Sequence, residues 1–400
     1  MAWPPARAEL HKMIRTILLT TPEAFRPRGG QGRARQRGFS LIELMVSMVL
    51  GLLVVAGLIN LFVANRKAYQ IQSGNNYLQE NLRIASDRVG WSLRMVDFWG
   101  GNKPSAVDAS GAGGTVTAKG DCDGAWATAI SSTTTDGGAL VGYDGAAVFP
   151  LDAACIGGEA NYVKGSDVLV LRYAEPDVLS PGPAASSAAP AVAATITDNP
   201  KQIFLLSIPG SSGRLFSKTV PDTAGNNSLR RYVHPYQIDM YYLRPCSVPV
   251  GSVCTSAADG GMPVPTLMRM HLDKNGNFVT EPVVDGIEQL KFEYGVATAA
   301  TDMVPQYATA ATVKSNNNWG NVVAVRVSVI AVNSVRDVSV PHTGPYTLGT
   351  LDACKYTINR DTAPTTTDCE NFTPFGGDKA SQFVRAKQEF VVQLRNRVRG

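Results

Sequence analysis

The chain has few of the side chains from which catalytic sites are built. Its histidines lie far apart in the sequence, at His11, His234, His271 and His342. No His-Glu-x-x-His, Gly-x-Ser-x-Gly or phosphate-loop pattern occurs, and the glycine-rich stretch from Gly111 to Gly120 lacks a Gly-Lys-Ser/Thr ending. Asp285 and Glu288 lie near each other, but a solvated turn accounts for them. Because no set of residues can be given the roles of acid, base or nucleophile, we predict no enzymatic activity.

Apart from its first 38 residues, the chain also lacks a surplus of positive charge. The formal net charge of the whole chain is +4. Residues 1–38 contain eight basic and two acidic side chains, a net charge of +6, which leaves −2 for the remainder. A nucleic-acid-binding surface needs clustered Lys and Arg, so we predict no nucleic-acid partner for residues 39–400.

What the sequence does have is a long apolar run. From Phe39 to Val63 its polar interruptions are Ser40, Glu43, Ser47 and Asn60. A helix of this length, rising 1.5 Å per residue, is roughly 37 Å long and can cross a hydrocarbon core of ~30 Å. Arg33, Arg35 and Arg37 precede the run and favour a cytoplasmic N-terminal end. We therefore predict one membrane span, with the rest of the chain translocated.

Glu43 does not suit a membrane span. An ionised side chain at such depth costs about 2.5–3.5 kcal/mol on translocon-based insertion scales, so it requires a partner. If the chain were cut after Gly38, the new α-amine of Phe39 would lie about one helical turn from Glu43. Such an amine is largely protonated at neutral pH. We predict that the two charges neutralise each other, within one chain or between neighbouring chains of an assembly.

All of the cysteines follow the apolar run, at Cys122, Cys155, Cys246, Cys254, Cys354 and Cys369. An even number outside the cytoplasm indicates disulfides formed in an oxidising compartment such as the periplasm. Six cysteines allow 15 complete pairings. Sequence neighbours are favoured, because each bridge would then close a local loop containing Gly or Pro. Zinc sites use Cys-x-x-Cys pairs or adjacent histidines, and neither occurs, so we predict no metal and no cofactor.

The stretch from Gly38 to Leu44, Gly-Phe-Ser-Leu-Ile-Glu-Leu, resembles the class III signal of type IV prepilins and type II secretion pseudopilins. The resemblance implies that residues 1–38 are a leader, with Met13 as a possible alternative start. It implies that a membrane prepilin peptidase cleaves between Gly38 and Phe39 and methylates the Phe39 amine. It also gives Glu43 a role in docking the subunit into a filament. The alternative is an ordinary signal anchor with a stray glutamate, which the register of the whole motif disfavours.

After the apolar run, one helical face continues. Its apolar residues recur every three or four positions, at Leu78, Leu82, Ala85, Val89, Leu93 and Val96. This spacing predicts that the helix runs to about Asp97 and ends near Gly100 and Gly101, which can cap it. Gly51 and Gly57, within the apolar half, fit close helix packing or local weakening of the helix.

The remaining residues predict a β-rich head. Residues 100–160 indicate loops with short strands, and residues 181–200 an exposed Ala-, Ser- and Pro-rich insertion. Pro235 interrupts an aromatic-rich strand and predicts that it is bent or lies at a sheet edge. Two strand patterns flank Asp273-Lys274-Asn275-Gly276-Asn277, which predicts a hairpin turn. A calcium loop is the alternative there, but the glycine is at the fourth position and the closing glutamate is missing.

The strand patterns also resemble the PilW-like minor pilins. The stretches concerned are Asp167–Tyr173, Tyr236–Arg244, Leu267–Tyr294, Val322–Val332 and Phe390–Asn396. The resemblance implies an α+β, pilin-like fold in which a long N-terminal α-helix packs on a mostly antiparallel β-sheet head. The implied parts are a leader (1–38), a transmembrane and filament-core helix (39–63), an amphipathic extension (64–99) and a periplasmic head (100–400).

The function implied by the resemblance is that of a minor pilin that primes type IV pilus assembly and sits in the pilus tip complex. Its partners would be the prepilin peptidase, other minor pilins, the major pilin and a PilY-type tip adhesin. It would lie in the inner membrane with a periplasmic head and then in the pilus, with downstream roles in adhesion, twitching motility or DNA uptake. The alternatives are a J-like minor pseudopilin of a type II secretion system and a membrane-anchored periplasmic binding module.

Overall fold

The computed structural model describes residues 38–131, 138–182, 190–221, 231–298, 301–338, 340–351, 354–359, 365–366, 369 and 372–397. The chain forms two compact units that meet between Asn65 and Arg66. The predicted leader lies outside the described residues, except for Gly38. The described helices are α1 (Leu41–Met95), α2 (Gly124–Ala127), α3 (Pro190–Asp198) and α4 (Ala310–Ser315).

Helix α1 follows the two sequence patterns that predict it. Its apolar residues before Val63 are exposed, and from Leu78 onward those spaced by three or four are buried. Its end differs slightly from the prediction: the residue that leaves the helix in a left-handed conformation is Asp97 (φ 65°), before Gly100 and Gly101. An aspartate tolerates this conformation because its short side chain can hydrogen-bond locally, and Asp97 accepts a bond from Trp99 Nε1 (2.6 Å).

The strands of the head are β1 (Val107–Asp108), β2 (Leu140–Tyr143), β3 (Val168–Ala174), β4 (Ser180–Gly182), β5 (Phe204–Ile208), β6 (Ser212–Phe216), β7 (Arg231–Arg244), β8 (Thr266–Leu272), β9 (Phe278–Asp285), β10 (Ile287–Thr298), β11 (Thr301–Ala308), β12 (Val322–Arg336), β13 (Tyr346–Leu348), β14 (Cys354–Thr357), β15 (Thr365–Thr366) and β16 (Phe383–Gln393).

These strands form three sheets. The largest has the order β1-β6-β5-β7-β3-β2, with β4 and β8 also on β7, and β9 on β8. The second has the order β11-β10-β12-β16, and the third β13-β14-β15. Every pairing is antiparallel except β1 with β6. The predicted α+β class, with a mostly antiparallel head, is therefore confirmed.

Pro235 is not at a sheet edge, so that part of the prediction is wrong. It lies within β7 opposite Phe204 of β5, and its carbonyl oxygen accepts a hydrogen bond from Glu175 N (2.8 Å). Strand β7 is the centre of the large sheet. Its first half pairs with β4 and β5, and its second half with β3 and β8. A proline is tolerated at this switch between partners because only one backbone donor is lost there.

The hairpin predicted around Asn275-Gly276 joins β8 to β9. Asp273 Oδ1 accepts hydrogen bonds from the backbone nitrogens of Asn275 and Asn277 (2.8 Å each), and Gly276 has a positive φ of 72°. The Asp273 side chain thus forms an Asx-type turn. No cluster of His, Cys, Asp or Glu in the described part of the chain has the arrangement of a metal site.

The two larger sheets meet at Asp167, directly before β3. This carboxylate accepts hydrogen bonds from Gly145 N (2.8 Å) and Phe292 N (2.7 Å), and it lies 3.0 Å from Lys291 Nζ. Burial raises the pKa of Asp167 to about 6, against the opposing effect of Lys291. Nearby, the side chain of Tyr294 packs so closely on the backbone of Gly142 that a Cβ there would overlap the Tyr294 hydroxyl. The two sheets therefore share one core with the second part of α1.

The segment predicted as an exposed insertion contains a helix. Residues 183–189 of it lie outside the described residues, but α3 forms over Pro190–Asp198. Ile196 of α3 is buried in a small cluster with Phe204, Phe216 and Val233. A run of Ala, Val and Ile is able to form this helix because the sheet offers it an apolar surface. The described side chains of this half are mostly exposed, as predicted, and Ile196 is the buried exception among them; the helix itself was not predicted.

Glu288 does not lie in a solvated turn, as the sequence suggested, but is 1% exposed. It forms an ion pair with Arg385, with Oε2 2.6 Å from Nε and Oε1 2.8 Å from Nη2. Tyr356 Oη (3.0 Å) and Phe375 N (2.6 Å) also donate to it. Arg385 in turn donates to backbone carbonyls, including that of Phe375. This cluster fastens β14 and the segment before β16 to β10.

We expect Glu288→Gln to lower the free energy of unfolding by about 3–5 kcal/mol, because it leaves the Arg385 guanidinium buried without a counter-charge. The matched control is Glu389→Gln, whose carboxylate is 37% exposed and faces Arg326 and Lys387. Its loss should cost less than about 1 kcal/mol. Urea unfolding of the full-length protein in detergent, followed by tryptophan fluorescence, measures both. Equal midpoints for the two variants would contradict the role given to Glu288.

Candidate functional site: the assembly helix

The predicted cleavage position is open on all sides. Gly38 and Phe39 precede α1, and Phe39 is 82% exposed. A Cβ placed on Gly38 would meet no atom within 4 Å. The backbone of Gly38 also does not require a positive φ. Nothing within the described residues therefore demands glycine at position 38.

Glu43 lies in the first turn of α1. The helix begins here with the hydrogen bond from Leu44 N to the carbonyl oxygen of Ser40 (3.1 Å). The unpaired amides of a helix N-terminus give it a partial positive charge, which favours a carboxylate at this position. In the described residues no Lys, Arg or His forms an ion pair with Glu43. The nitrogen of Phe39 is an amide in the uncut chain, so it can become a charged partner only after cleavage.

The apolar residues around Glu43 lie on the surface of the chain. Among the large apolar residues from Leu41 to Val63, the exposed fraction ranges from 78% for Leu41 to 51% for Val55. Within the described residues, α1 is the one helix long and apolar enough to span a membrane. A Cβ on Gly51 or Gly57 would meet nothing within 4 Å. This surface, from Phe39 to Val63, needs lipid or other subunits to cover it.

The second part of α1 is fixed to the head by a buried carboxylate. Asp239 of β7 is fully buried and accepts hydrogen bonds from Ser92 Oγ (3.0 Å) and Tyr173 Oη (2.8 Å). Arg269 Nη2 lies 2.7 Å from Asp239 Oδ1. Ser92 Oγ is also 2.8 Å from Tyr241 Oη. Because every member of the network has a partner, the rotation of α1 against the sheet is fixed.

The helix is also held near residue 80. Asn81 Nδ2 donates to the carbonyl oxygen of Asp285 (2.8 Å). Gly74 lies so near β12 that a Cβ on it would be 2.2 Å from Asn333 Nδ2. These contacts explain why a glycine and an asparagine interrupt the apolar face of α1.

The C-terminal end of α1 is capped from the other end of the chain. After β16, Asn396 Nδ2 donates to the carbonyl oxygen of Val96 (2.9 Å) and lies 3.4 Å from those of Arg94 and Met95. Arg397 Nε lies 2.7 Å from Asp97 Oδ2. The helix carbonyls that have no partner within the helix are thereby satisfied. The stretch Phe390–Asn396 was identified by resemblance, but this role was not predicted, because capping across 300 residues leaves no periodic signal.

The cysteines belong to the head and not to the assembly helix. The structure joins Cys122 to Cys155, Cys246 to Cys254, and Cys354 to Cys369, with Cα–Cα distances of 5.6, 5.6 and 4.6 Å. These are the sequence-neighbour pairs that were favoured above. Each closes a local loop outside the long strands.

Comparison with known proteins adds three findings. Residues 33–59 match the family described as the prokaryotic N-terminal methylation motif, and residues 253–396 match the type IV pilus-assembly protein W family, PilW. No curated protein matches the chain. Among solved structures the chain is similar to the type IV-like pilin TTHA1219 from Thermus thermophilus, at 14% identity, over 50% of this chain and 84% of that one. The TM-score of 0.17 is too low to carry an argument.

We expect Arg397→Gln to cost about 3 kcal/mol of stability, because it leaves the nearly buried Asp97 carboxylate unpaired. Asn396→Ala should cost about 1 kcal/mol for its lost hydrogen bonds. Arg395→Ala, on an exposed neighbour, is the control and should stay within about 0.5 kcal/mol of the original. Hydrogen exchange of the last turn of α1, measured by mass spectrometry, reports the effect locally. Unchanged protection there in Arg397→Gln would show that the cap is not needed.

Proposed function

We propose that the chain acts as a minor pilin that primes assembly of a type IV pilus and sits in the tip complex, because residues 33–59 match the N-terminal methylation motif and residues 253–396 match the PilW family. The observation that carries the proposal is the position of Glu43. It is a carboxylate without a counter-charge in the described residues, in the first turn of an exposed apolar helix, five residues after the processing glycine.

In this proposal, processing creates the partner that Glu43 lacks. The prepilin peptidase cuts between Gly38 and Phe39, and the released amine is methylated but keeps its positive charge. Removal of the leader also removes its net charge of +6 from the cytoplasmic side of the membrane. The new amine and a glutamate then attract each other in a medium of low dielectric constant, where charge pairing is strong. If the pair forms between subunits, it sets their axial register in the filament.

The head favours a position at the end of a filament over repeated use along it. Its compact unit extends from Arg66 to Gly400 and carries a third sheet and disulfide-closed loops beyond the two main sheets. A head of this size would hinder close helix packing if every subunit carried it. A terminal position avoids that hindrance and leaves the head free to contact other minor pilins or a PilY-type adhesin. The proposed location is the inner membrane with a periplasmic head, followed by the pilus.

A J-like minor pseudopilin of a type II secretion system would share the N-terminal motif, so residues 33–59 do not separate the two functions. The match of residues 253–396 to a pilus-assembly family favours the pilus. Neighbouring genes distinguish the alternatives, since a cluster of minor pilins with an adhesin belongs to the pilus and a secretion ATPase with a secretin belongs to the pseudopilus.

We expect the mature protein to begin at Phe39 and to carry a methylated α-amine, because the signal places the cut after Gly38. Top-down mass spectrometry of protein purified from its own cells measures this terminus. Gly38→Leu is the matched variant and should accumulate with its leader attached, because the signal places glycine at the cut. Its fold should be unchanged, since no atom of the described residues lies within 4 Å of a Cβ at that position. A protein that keeps its leader in cells that process their other prepilins would contradict the proposal.

We expect Glu43→Ala to be cleaved normally but to enter pili at least tenfold less often, because the amine of Phe39 then has no carboxylate to pair with. Ser47→Ala is the control. It is also a polar residue of the apolar run, but its hydroxyl is satisfied locally by the Leu44 carbonyl oxygen (2.9 Å). Immunoblots of sheared pili and of membranes, in a strain lacking the natural gene, give the incorporated fraction. Normal incorporation of Glu43→Ala would remove the charge-pairing mechanism.

A further inference from the structure

One cavity of the head is lined by uncharged polar side chains. It has a volume of about 670 Å³ and lies between the end of β10, the strand β11 and the helix α4. Its polar lining includes Gln306, Asn316, Asn318, Asn321 and Thr312, together with the ring of Tyr307. None of the described residues that line it is Asp, Glu, Lys, Arg or His. The volume falls in the range of small-ligand sites, but such sites have mostly apolar linings, so this composition is unusual.

The amide groups are available to a ligand. An Asn or Gln side chain offers two donors and one acceptor oxygen. In the described part of the chain, the side-chain amides of Gln306 and Asn316 have no hydrogen-bond partner. Asn321 Nδ2 donates to Asn318 Oδ1 (2.5 Å), which leaves Asn318 Nδ2 and Asn321 Oδ1 open. The cavity thus presents both hydrogen-bond donors and hydrogen-bond acceptors to a ligand.

The backbone that carries the amides of Asn316, Asn318 and Asn321 is fixed by contacts of Trp319 and of the first turn of α4. Trp319, within the segment, is 1% exposed and packs edge-on against Tyr294 at 5.0 Å between ring centroids. Arg397 Nη1 donates to the Trp319 carbonyl oxygen (2.5 Å). The first turn of α4 is capped by Asp144, whose carboxylate accepts from Ala310 N (2.9 Å) and Ala311 N (2.7 Å). A ligand would therefore meet a wall that is already ordered.

The opposite wall is ordered by charges that do not enter the cavity. The guanidinium of Arg326 lies 3.9 Å from the centroid of the Tyr307 ring and covers one of its faces. Arg326 Nη1 is 2.8 Å from Glu293 Oε2, and Glu293 Oε1 accepts from Leu351 N (2.8 Å). Tyr307 and Leu351 both line the cavity. Glu293 and Arg326 thus fix two lining residues while neutralising each other.

We propose that this cavity binds a neutral carbohydrate. A pyranose ring has one relatively apolar face, which suits the rings and alkyl groups of Tyr307, Val296 and Leu351. Its neighbouring hydroxyl groups each donate and accept, and planar amides can match them in pairs. The lack of charged lining residues disfavours phosphates, sialic acids and acidic peptides, which need a counter-charge when they are desolvated. The site stands on the cavity alone and does not depend on the pilus function.

The test is binding of full-length protein to immobilised oligosaccharides, in a detergent without a sugar headgroup. One arm uses neutral hexose oligosaccharides and a second uses neutral N-acetylhexosamine oligosaccharides, since either source can supply such a ring. We expect binding in at least one arm, changed less than twofold between 0.1 and 0.5 M salt, because no ion pair contributes. Asn316→Ala and Tyr307→Leu should each weaken it at least tenfold.

The matched control is Asn317→Gly, in the same loop but outside the lining. Asn317 has a positive φ of 49°, which glycine also adopts, so the loop is kept. Its binding should equal that of the original protein. Absence of binding in both arms, equal losses in Asn317→Gly, or preference for sialylated sugars or peptides would overturn the proposal. Circular dichroism of each variant identifies loss of fold, and Asn316→Ala changes only an exposed side chain.

Discussion

The carboxylate of Glu43 lies in the first turn of a helix whose neighbouring side chains are apolar and exposed, and its free energy in a membrane depends on a positive charge nearby. The uncut chain cannot supply that charge from Phe39, because an amide nitrogen is not basic. Under the proposed function, cleavage after Gly38 would therefore change the electrostatics at the start of the helix. A subunit with its leader and a subunit without it differ in which state, free or assembled, has the lower free energy.

The second part of α1 belongs to the same compact unit as the head. The second part of α1 is joined to the sheet by hydrogen bonds to Asp239, by the close approach at Gly74, and by the cap from Asn396 and Arg397. Buried charges of this kind add little net stability compared with apolar packing, because each must be desolvated. Their directional bonds instead select one rotation and one height of the helix against the sheet. We infer that Asp239 contributes more to this specificity than to net stability.

The sequence predicted the elements whose period is strong. The spacing from Leu78 to Leu93 predicted the buried face of α1. The stretch Val322–Val332, identified above as a strand pattern, lies within β12. The burial of Glu288 was not predictable, because its partner Arg385 is 97 residues away and pair spacing leaves no local pattern. Pro235 was misplaced because the edge rule is statistical, whereas this strand changes partners at the proline. Helix α3 was missed because its stability comes from the apolar surface beneath it.

The two candidate sites also differ in how far the sequence alone predicts them. Gly38, Phe39 and Glu43 form a contiguous motif, so a short stretch of sequence carries it, whereas the cavity amides become a group only when β11 and α4 approach each other. One residue connects the cavity wall to the assembly helix: Arg397 donates to the carbonyl oxygen of Trp319 and pairs with Asp97 at the end of α1. A ligand bound to Asn316 and Asn321 would therefore contact a loop that Arg397 connects to the C-terminal end of α1.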